Sequence, residues 1–222
     1  HAGVENISKV NVKWVDTEKL ENKIKKIDDF FKDVNGIIIP GGFGHRGIEG
    51  KILSSKYARE NNIPFLGICL GLQCAVIDFA RDVCNLKDAN STEFKSDIKF
   101  PVIDLMNNQK GINNKGATMR LGSYACNIKQ KTKAYSAYKE TRINERHRHR
   151  YEVNNDFIDE LEKNGLIVSG INTKLNLVEM IEIKKHPWFV GVQFHPELKS
   201  RVVKAHPLFK DFIAAAIKNN DR

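Results

Sequence analysis

The sequence has no long apolar run and few cysteines. No stretch approaches the roughly 20 apolar residues of a membrane-spanning helix, and the first residues do not form a secretory signal peptide. Its 4 cysteines include no Cys-x-x-Cys pair and are too sparse for a disulfide-stabilised secreted domain. We therefore expect a cytoplasmic protein with reduced thiols and no membrane partner.

Zinc-ligand spacing, internal repeats and low-complexity linkers are also missing from the sequence. Its 222 residues, 41% hydrophobic and 28% charged, have the size and composition of one globular domain. We predict a single domain over residues 1–222 without a metal site. Because His1, Ala2 and Gly3 are typical of the end of a helix, we also expect the domain to lack its N-terminal part.

The formal charge of +9 suggests nucleic-acid binding as one function. The lysines, however, are spread over many segments, which is typical of a solvated surface. The exception is Arg-His-Arg-His-Arg at residues 146–150. An RNA-binding surface there remains an alternative, although the interleaved aromatic residues of single-strand readers are lacking.

Short apolar strands alternate with amphipathic helices over the first 90 residues. Val10, Val12 and Trp14 predict a half-buried strand over residues 8–15, and apolar residues at helical spacing follow over residues 20–34. The further elements expected here are strands at 36–40 and 63–68 and helices at 48–62 and 72–83.

This alternation predicts a doubly wound α/β fold, with a mostly parallel sheet and helices on both faces. After about residue 90, strands with short connections predict a small antiparallel extension. The polar stretch 107–116 is the one segment expected to be a mobile loop. The later elements are strands at 100–106, 118–128, 166–170, 177–183 and 188–194, and helices at 156–163 and 207–218.

Residues 67–71, Gly-Ile-Cys-Leu-Gly, follow an apolar strand and precede a helix. This is the pattern of a nucleophile elbow with cysteine in place of serine, in which glycines allow the close approach of backbone. The helix N-terminus favours the thiolate of Cys69. Cys74 and Cys84, by contrast, are expected to be packing residues.

The sequence His195-Pro196-Glu197 follows the apolar strand that ends at Phe194. Because the carboxyl ends of neighbouring strands form the binding edge of an α/β sheet, we expect a Cys69–His195–Glu197 triad. His195 is the base, and Glu197 orients its imidazole. The oxyanion hole needs two N–H donors, which we assign to Leu70 and, from the Gly41-Gly42 turn, Gly42.

These motifs resemble the three signatures of class I glutamine amidotransferases. The signature segments are Pro-Gly-Gly-Phe-Gly (40–44), Gly-Ile-Cys-Leu-Gly-Leu-Gln (67–73) and Phe-His-Pro-Glu (194–197). Segments 89–94, 118–122 and 145–154 narrow the resemblance, which spans about residues 36–213, to the glutaminase domains of the CTP synthase family. The sequence departs from that family at residues 115–117, where Lys-Gly-Ala replaces the usual paired glycines. We expect this difference to affect only the local loop.

The resemblance implies hydrolysis of glutamine through a glutamyl thioester on Cys69. The ammonia would pass to a synthetase domain outside this chain, which uses ATP and Mg²⁺ to aminate UTP to CTP. This domain would itself need no cofactor and bind no nucleic acid. The intact enzyme is expected to be a homo-oligomer activated by GTP.

The resemblance also implies a set of glutamine-binding residues. They are Gly42, Leu70, Gln73, Glu93 and Arg150. The chemistry agrees, because the ammonium of free glutamine suits a carboxylate and its carboxylate suits a guanidinium. The alternatives are a helix-capping role for Glu93 and an RNA-phosphate contact for Arg150.

Phe43 and Arg46 are expected to contact GTP, with the aromatic ring against the purine and the guanidinium against a phosphate. The alternative for Phe43 is packing beneath its own loop. For the whole chain, two rival functions remain open at this point: a papain-like or other thiol hydrolase, and an RNA-binding module.

Overall fold

The computed structural model describes residues 1–22, 26–105 and 119–220. The helices are α1 (Ala2–Glu5), α2 (Thr17–Glu21), α3 (Ile27–Phe31), α4 (Ile48–Glu60), α5 (Leu70–Asp82), α6 (Lys133–Tyr138), α7 (Ile158–Lys163) and α8 (Pro207–Asn220). The strands are β1 (Ile37–Ile39), β2 (Phe65–Ile68), β3 (Ala89–Ser91), β4 (Phe100–Leu105), β5 (Arg120–Ile128), β6 (Arg142–His149), β7 (Tyr151–Val153), β8 (Leu166–Asn172), β9 (Leu177–Ile183) and β10 (Phe189–Val192). The expected mobile loop at 107–116 and the departure at 115–117 lie outside the described residues.

The main sheet has the strand order β1-β2-β10-β9-β8-β5-β6, and β3, β4 and β7 form a second sheet. Strands β1, β2 and β10 are parallel, whereas β9, β8, β5 and β6 add antiparallel pairings. The predicted α/β class is confirmed, but within the described residues the antiparallel part is larger than the small extension we expected. Antiparallel neighbours can be joined by short connections: β5 leads to β6 through the short helix α6, and β8, β9 and β10 follow one another closely in the chain.

The parallel strands are covered by helices on both faces, as predicted. Phe65 and Phe189 stack with their ring centroids 4.2 Å apart and belong to the core that α4 and α5 complete. Their neighbours Leu66 and Val190 point to the opposite side, where they share a core with Phe212 of α8. This follows from the two-residue alternation of side chains along a strand.

The strand predicted for residues 8–15 is wrong. These residues have no regular secondary structure, and Trp14 is 90% exposed. Alternation of apolar residues is not sufficient, because a strand also needs a partner for its backbone, and residues 8–15 have none within the described chain. The helix predicted over residues 20–34 is present as α2 and α3, on either side of the undescribed residues 23–25.

Sequence reasoning missed α6 and the strands β3, β6 and β7, and β6 matters most for the site. Its burial alternates without a break, with the arginines exposed and Ile143, Glu145, His147 and His149 buried. Because three of these inward residues are polar, the strand shows no apolar alternation in the sequence. Arg146 and Arg148 of the basic segment therefore lie on the outer face of this strand.

The close approach of β1 to the start of α5 requires glycine at position 71. A Cβ atom there would lie 2.2 Å from the backbone oxygen of Ile39. We expect Gly71→Ala to lower the free energy of unfolding by about 3 kcal/mol, because backbone on both sides must move. Gly42→Ala is the control, since its Cβ would meet only the Leu70 side chain, at 3.1 Å. Urea unfolding of both variants measures this, and equal losses would contradict it.

Candidate active site

The turn predicted after β2 is present, and Cys69 occupies its apex. Cys69 directly precedes α5 and has φ 52° and ψ −101°, a conformation that residues other than glycine rarely adopt. Two backbone hydrogen bonds hold it there: its N–H donates to Val192 (2.7 Å), and its carbonyl accepts from the N–H of Gln73 (3.2 Å). The side chain is thereby fixed at the carboxyl edge of the sheet, between β2 and β10.

His195 and Glu197 lie just beyond β10 and are joined by a short hydrogen bond. His195 Nδ1 is 2.6 Å from Glu197 Oε1. A carboxylate accepts, so Nδ1 carries the proton and Nε2 has a free lone pair. Nε2 is buried and has no hydrogen-bond partner among the described residues. Burial by itself would raise the pKa of Glu197, but the hydrogen bond from His195 keeps that pKa below its ordinary value.

Gly41 shows how closely the imidazole approaches the thiol. A Cβ atom on Gly41 would lie 2.7 Å from His195 Cε1 and 3.5 Å from Cys69 Cβ. The imidazole and the cysteine thus border the same small space at the end of β1. The structure places Cys69, His195 and Glu197 at the same edge of the sheet, and their action as a triad stays a prediction.

Burial acts against the effect that we expected from the helix N-terminus at Cys69. Burial raises the pKa of the Cys69 thiol to about 12, although a hydrogen bond from the Leu70 N–H acts in the opposite direction. The nearby carboxylates of Glu152, Glu197 and Glu93 raise the pKa further. The free thiol is therefore protonated near neutral pH, and a base must take its proton during the reaction.

A pocket of about 320 Å³, partly open to solvent, adjoins the thiol. Its lining residues are Gly42, Phe43, Cys69, Gln73, Glu93, Met119, His149, Arg150 and Tyr151. The set includes the predicted glutamine contacts except Leu70, whose N–H lies at the start of α5. Sequence reasoning missed Met119, His149 and Tyr151, although the last two flank Arg150.

Glu93 and Arg150 give this pocket charges of opposite sign. Glu93 Oε1 accepts the N–H of Gly44 (3.2 Å), so its side chain contacts the loop after β1. The N–H of Glu93 donates to Ser91 Oγ (3.1 Å), which makes Ser91 the capping residue of this turn. Burial raises the pKa of Glu93, whereas the Gly44 hydrogen bond and the charge of Arg150 lower it.

The arrangement around Phe43 differs from the expected one. Phe43 is 56% exposed at the mouth of the pocket and does not pack beneath its loop. Arg46 forms an ion pair with Glu18. The guanidinium that lies over the Phe43 ring is that of Arg148, at 5.6 Å from the ring centroid. Arg148 is therefore a second cation near Phe43, and the expected contacts of Phe43 and Arg46 with GTP stay a prediction.

A buried ionic cluster, which the sequence did not indicate, lies behind the pocket. Arg120 of β5 donates to Glu152 Oε1 (3.0 Å) and to Glu179 Oε1 (2.7 Å), and all three residues are buried. His147 and His149 adjoin it and are hydrogen-bonded to each other at 2.9 Å. We call these five residues the Arg120 cluster.

The Arg120 cluster contains one guanidinium for two carboxylates. Burial raises the pKa of Glu152 to about 8 and that of Glu179 to about 7, against the opposing effect of Arg120. Burial also lowers the pKa of His147 to about 2, and the charge of Arg120 adds to this effect. The two histidines are therefore neutral, and Arg120 is the cation of the cluster.

Residues 1–215 match the family model of class-I glutamine amidotransferases. The chain therefore belongs to the class I glutamine amidotransferase family, as the motifs predicted. Its curated relatives are CTP synthases, with 56% identity over 221 residues to that of Chloroherpeton thalassium and 59% over 216 residues to that of Chlorobium phaeobacteroides. The matches cover 100% and 97% of this chain but 40% and 38% of the relatives, so the chain spans about two fifths of their length.

Solved structures agree. The glutaminase domain of Trypanosoma brucei CTPS, with bound acivicin, superposes with a TM-score of 0.92 at 36% identity, over 98% of this chain and 84% of that one. The predicted resemblance to this kind of domain is confirmed. A glutamine amidotransferase of Thermotoga maritima, with TM-score 0.55 and 16% identity over 88% of this chain and 67% of that one, shares the fold.

Two features are absent from the described residues. None of the helices in that part of the chain is long and apolar enough to cross a membrane. In the same residues no group of three or more His, Cys, Asp or Glu side chains could hold a metal ion.

Removing the cation of the Arg120 cluster should be costly. We expect Arg120→Met to lower the free energy of unfolding by about 3–5 kcal/mol, because two buried carboxylates lose their partner. The loss relative to the parent should grow as pH rises above about 7. In the parent, Arg120 lets Glu179 and Glu152 ionise at about 7 and 8, whereas in the variant both must keep their protons to stay buried while the unfolded chain has released them.

The control is Arg142→Met on the exposed face of β6, which should change stability by less than about 0.5 kcal/mol. Urea unfolding at several pH values gives the comparison. Equal, pH-independent losses in both variants would show that the cluster is not held by its central charge.

Proposed function

We propose that this chain hydrolyses glutamine to glutamate and ammonia through a thioester on Cys69. The observation that carries the proposal is a buried thiol beside an imidazole whose Nε2 is free and whose Nδ1 donates to Glu197 at 2.6 Å. The adjoining pocket has a carboxylate and a guanidinium to receive the two charged groups of a free amino acid.

The reaction starts with transfer of the thiol proton to His195 Nε2. The sulfur of Cys69 attacks the side-chain amide carbon of glutamine, and the N–H groups of Leu70 and Gly42 stabilise the oxyanion. His195 then gives the proton to the leaving nitrogen, so that ammonia departs and a thioester remains. Water, deprotonated by His195, cleaves the thioester and releases glutamate and the free thiol.

The pocket favours glutamine over the substrate of a papain-like hydrolase. A peptide has neutral amide groups where a free amino acid has its ammonium and its carboxylate. A peptide therefore offers no charged group to Glu93 or Arg150, which line the pocket, whereas free glutamine offers one to each. RNA binding is less well supported. Arg150 lines the pocket, whereas the arginines of β6 are on its exposed face, so the arginines of residues 146–150 do not form one surface.

We further propose that the ammonia serves a synthetase domain outside this chain, which aminates UTP to CTP with ATP and Mg²⁺. The similarity to CTP synthases more than twice as long as this chain supports this reading. We also propose GTP as activator, with its base on Phe43 and a phosphate near Arg148, in a homo-oligomeric cytoplasmic enzyme. No cofactor is required for the glutaminase step itself.

Replacing the nucleophile tests the proposal directly. We expect Cys69→Ser to lower glutaminase activity by at least about a thousandfold, because the alcohol is far less acidic and less nucleophilic than the thiol. Cys74→Ala is the control, since Cys74 is buried on α5 and does not line the pocket. Release of glutamate is measured, with thermal unfolding as a check of the fold. Activity within tenfold of the parent would refute the assignment of Cys69.

The role of the ammonia has its own test. In a protein in which this chain is joined to its synthetase domain, Cys69→Ala should abolish CTP formation from glutamine. Added ammonia at high pH, where more of it is uncharged, should restore CTP formation to the parent level. A variant that fails equally with both nitrogen donors would contradict the proposed division between the two domains.

A further inference from the structure

Gln193 is a buried polar residue that the mechanism above does not use. It directly follows β10 and precedes Phe194 and His195. Its backbone N–H donates to the carbonyl of Glu179 (2.9 Å), which fixes its position against β9. Its side chain is fully buried, and Nε2 lies 3.6 Å from Cys69 Sγ, within the range of a hydrogen bond to sulfur.

The surrounding hydrogen bonds determine which way this amide points. Gln73 Nε2 lies 3.1 Å from the carbonyl oxygen of Tyr151, which can only accept, so the amide nitrogen of Gln73 must be on that side. The same nitrogen is 3.3 Å from Gln193 Oε1. The oxygen of Gln193 therefore faces Gln73, and its nitrogen faces the sulfur. The carbonyl of Tyr151 thus determines, through Gln73, which way the side-chain amide of Gln193 points.

The sulfur needs donors of this kind. Its surroundings contain three carboxylates, Glu152, Glu197 and Glu93, each of which disfavours a negative charge on Cys69. A neutral amide N–H stabilises a thiolate by donating to the sulfur, and it adds no charge to the site. In a buried site, where water cannot solvate the sulfur, such a donor has a large effect.

We propose that Gln193 is a further catalytic residue, which donates a hydrogen bond to the Cys69 sulfur as His195 takes its proton, and that Gln73 positions it. The proposal rests on the proposed glutaminase mechanism. The amide N–H of Gln193 would stabilise the sulfur, whereas the N–H groups of Leu70 and Gly42 stabilise the oxyanion. No bond to Gln193 forms, and the proton moves only between Sγ and His195 Nε2. The contacts also connect the nucleophile to Tyr151, the neighbour of the substrate-binding Arg150.

The test measures the thiol itself and needs no glutamine. Alkylation of Cys69 by iodoacetamide is followed by mass spectrometry as a function of pH, because the rate reports the thiolate fraction. We expect Gln193→Met, which removes the donor, to slow alkylation about tenfold near neutral pH and to shift the profile to higher pH. Gln193→Glu should have a larger effect, because it also places a carboxylate beside the sulfur.

Ser169→Ala is the matched control, since Ser169 is also fully buried and its hydroxyl has no partner among the described residues. Its alkylation profile should equal that of the parent. A purely structural Gln193 would lower thermal stability and leave the pH profile unchanged. An unchanged profile in folded Gln193 variants overturns the proposal.

A further variant decides the question if the Gln193 variants do not fold. Gln73→Met keeps Gln193 but removes the partner of its Oε1, together with the contact to Tyr151, so alkylation should slow in the same direction but by less. A parent-like profile in folded Gln73→Met would then overturn the proposal.

The glutaminase proposal and the Gln193 proposal can fail separately. Slowed alkylation in a protein that does not hydrolyse glutamine would refute only the glutaminase, whereas Cys69-dependent hydrolysis with unchanged alkylation would refute only Gln193.

Discussion

The hydrogen bond from the Cys69 N–H to the carbonyl of Val192 is the contact on which the site depends. It continues the parallel pairing of β2 with β10 to the point where both strands end. The register places the nucleophile opposite the segment that carries Gln193, His195 and Glu197. A slip of one residue would turn that segment to the other face of the sheet. Strand pairing therefore brings Cys69 close to His195 and Glu197, and the side chains of these residues then form the proposed triad.

Burial is the second constraint, and it acts in two directions. It excludes water from the thiol and so raises the pKa of Cys69, which makes the neighbouring base and N–H donors necessary. It also raises the pKa values of Glu152 and Glu179 around the single cation Arg120. The interior beside the pocket thus holds few net charges, although it contains many ionisable groups. Because charges interact more strongly in such an interior than in water, a few charged residues suffice for strong electrostatic effects at the site.

Local chemistry determined what could be predicted from the sequence. The elbow at Cys69 and the pair His195–Glu197 were predictable, because a glycine-flanked turn and a strand end are short-range features. The strand β6 was not, since its inward residues are polar and Glu145 is hydrogen-bonded to His206, which is distant in sequence. The burial that opposes a thiolate at Cys69 could not be predicted for the same reason. A helix N-terminus is visible in the sequence, but burial by other elements is not.

The strand β6 shows why such long-range partners matter for function. Its outward side carries Arg148, which lies over Phe43. Its inward side carries the neutral histidines, and the carbonyl of Arg146 accepts the backbone N–H of His195 at 2.8 Å. Arg150, at its end, lines the pocket. The proposed GTP contact at Phe43 and Arg148 would therefore act on the strand that supports His195, the proposed base, and that leads into Arg150, the proposed substrate contact.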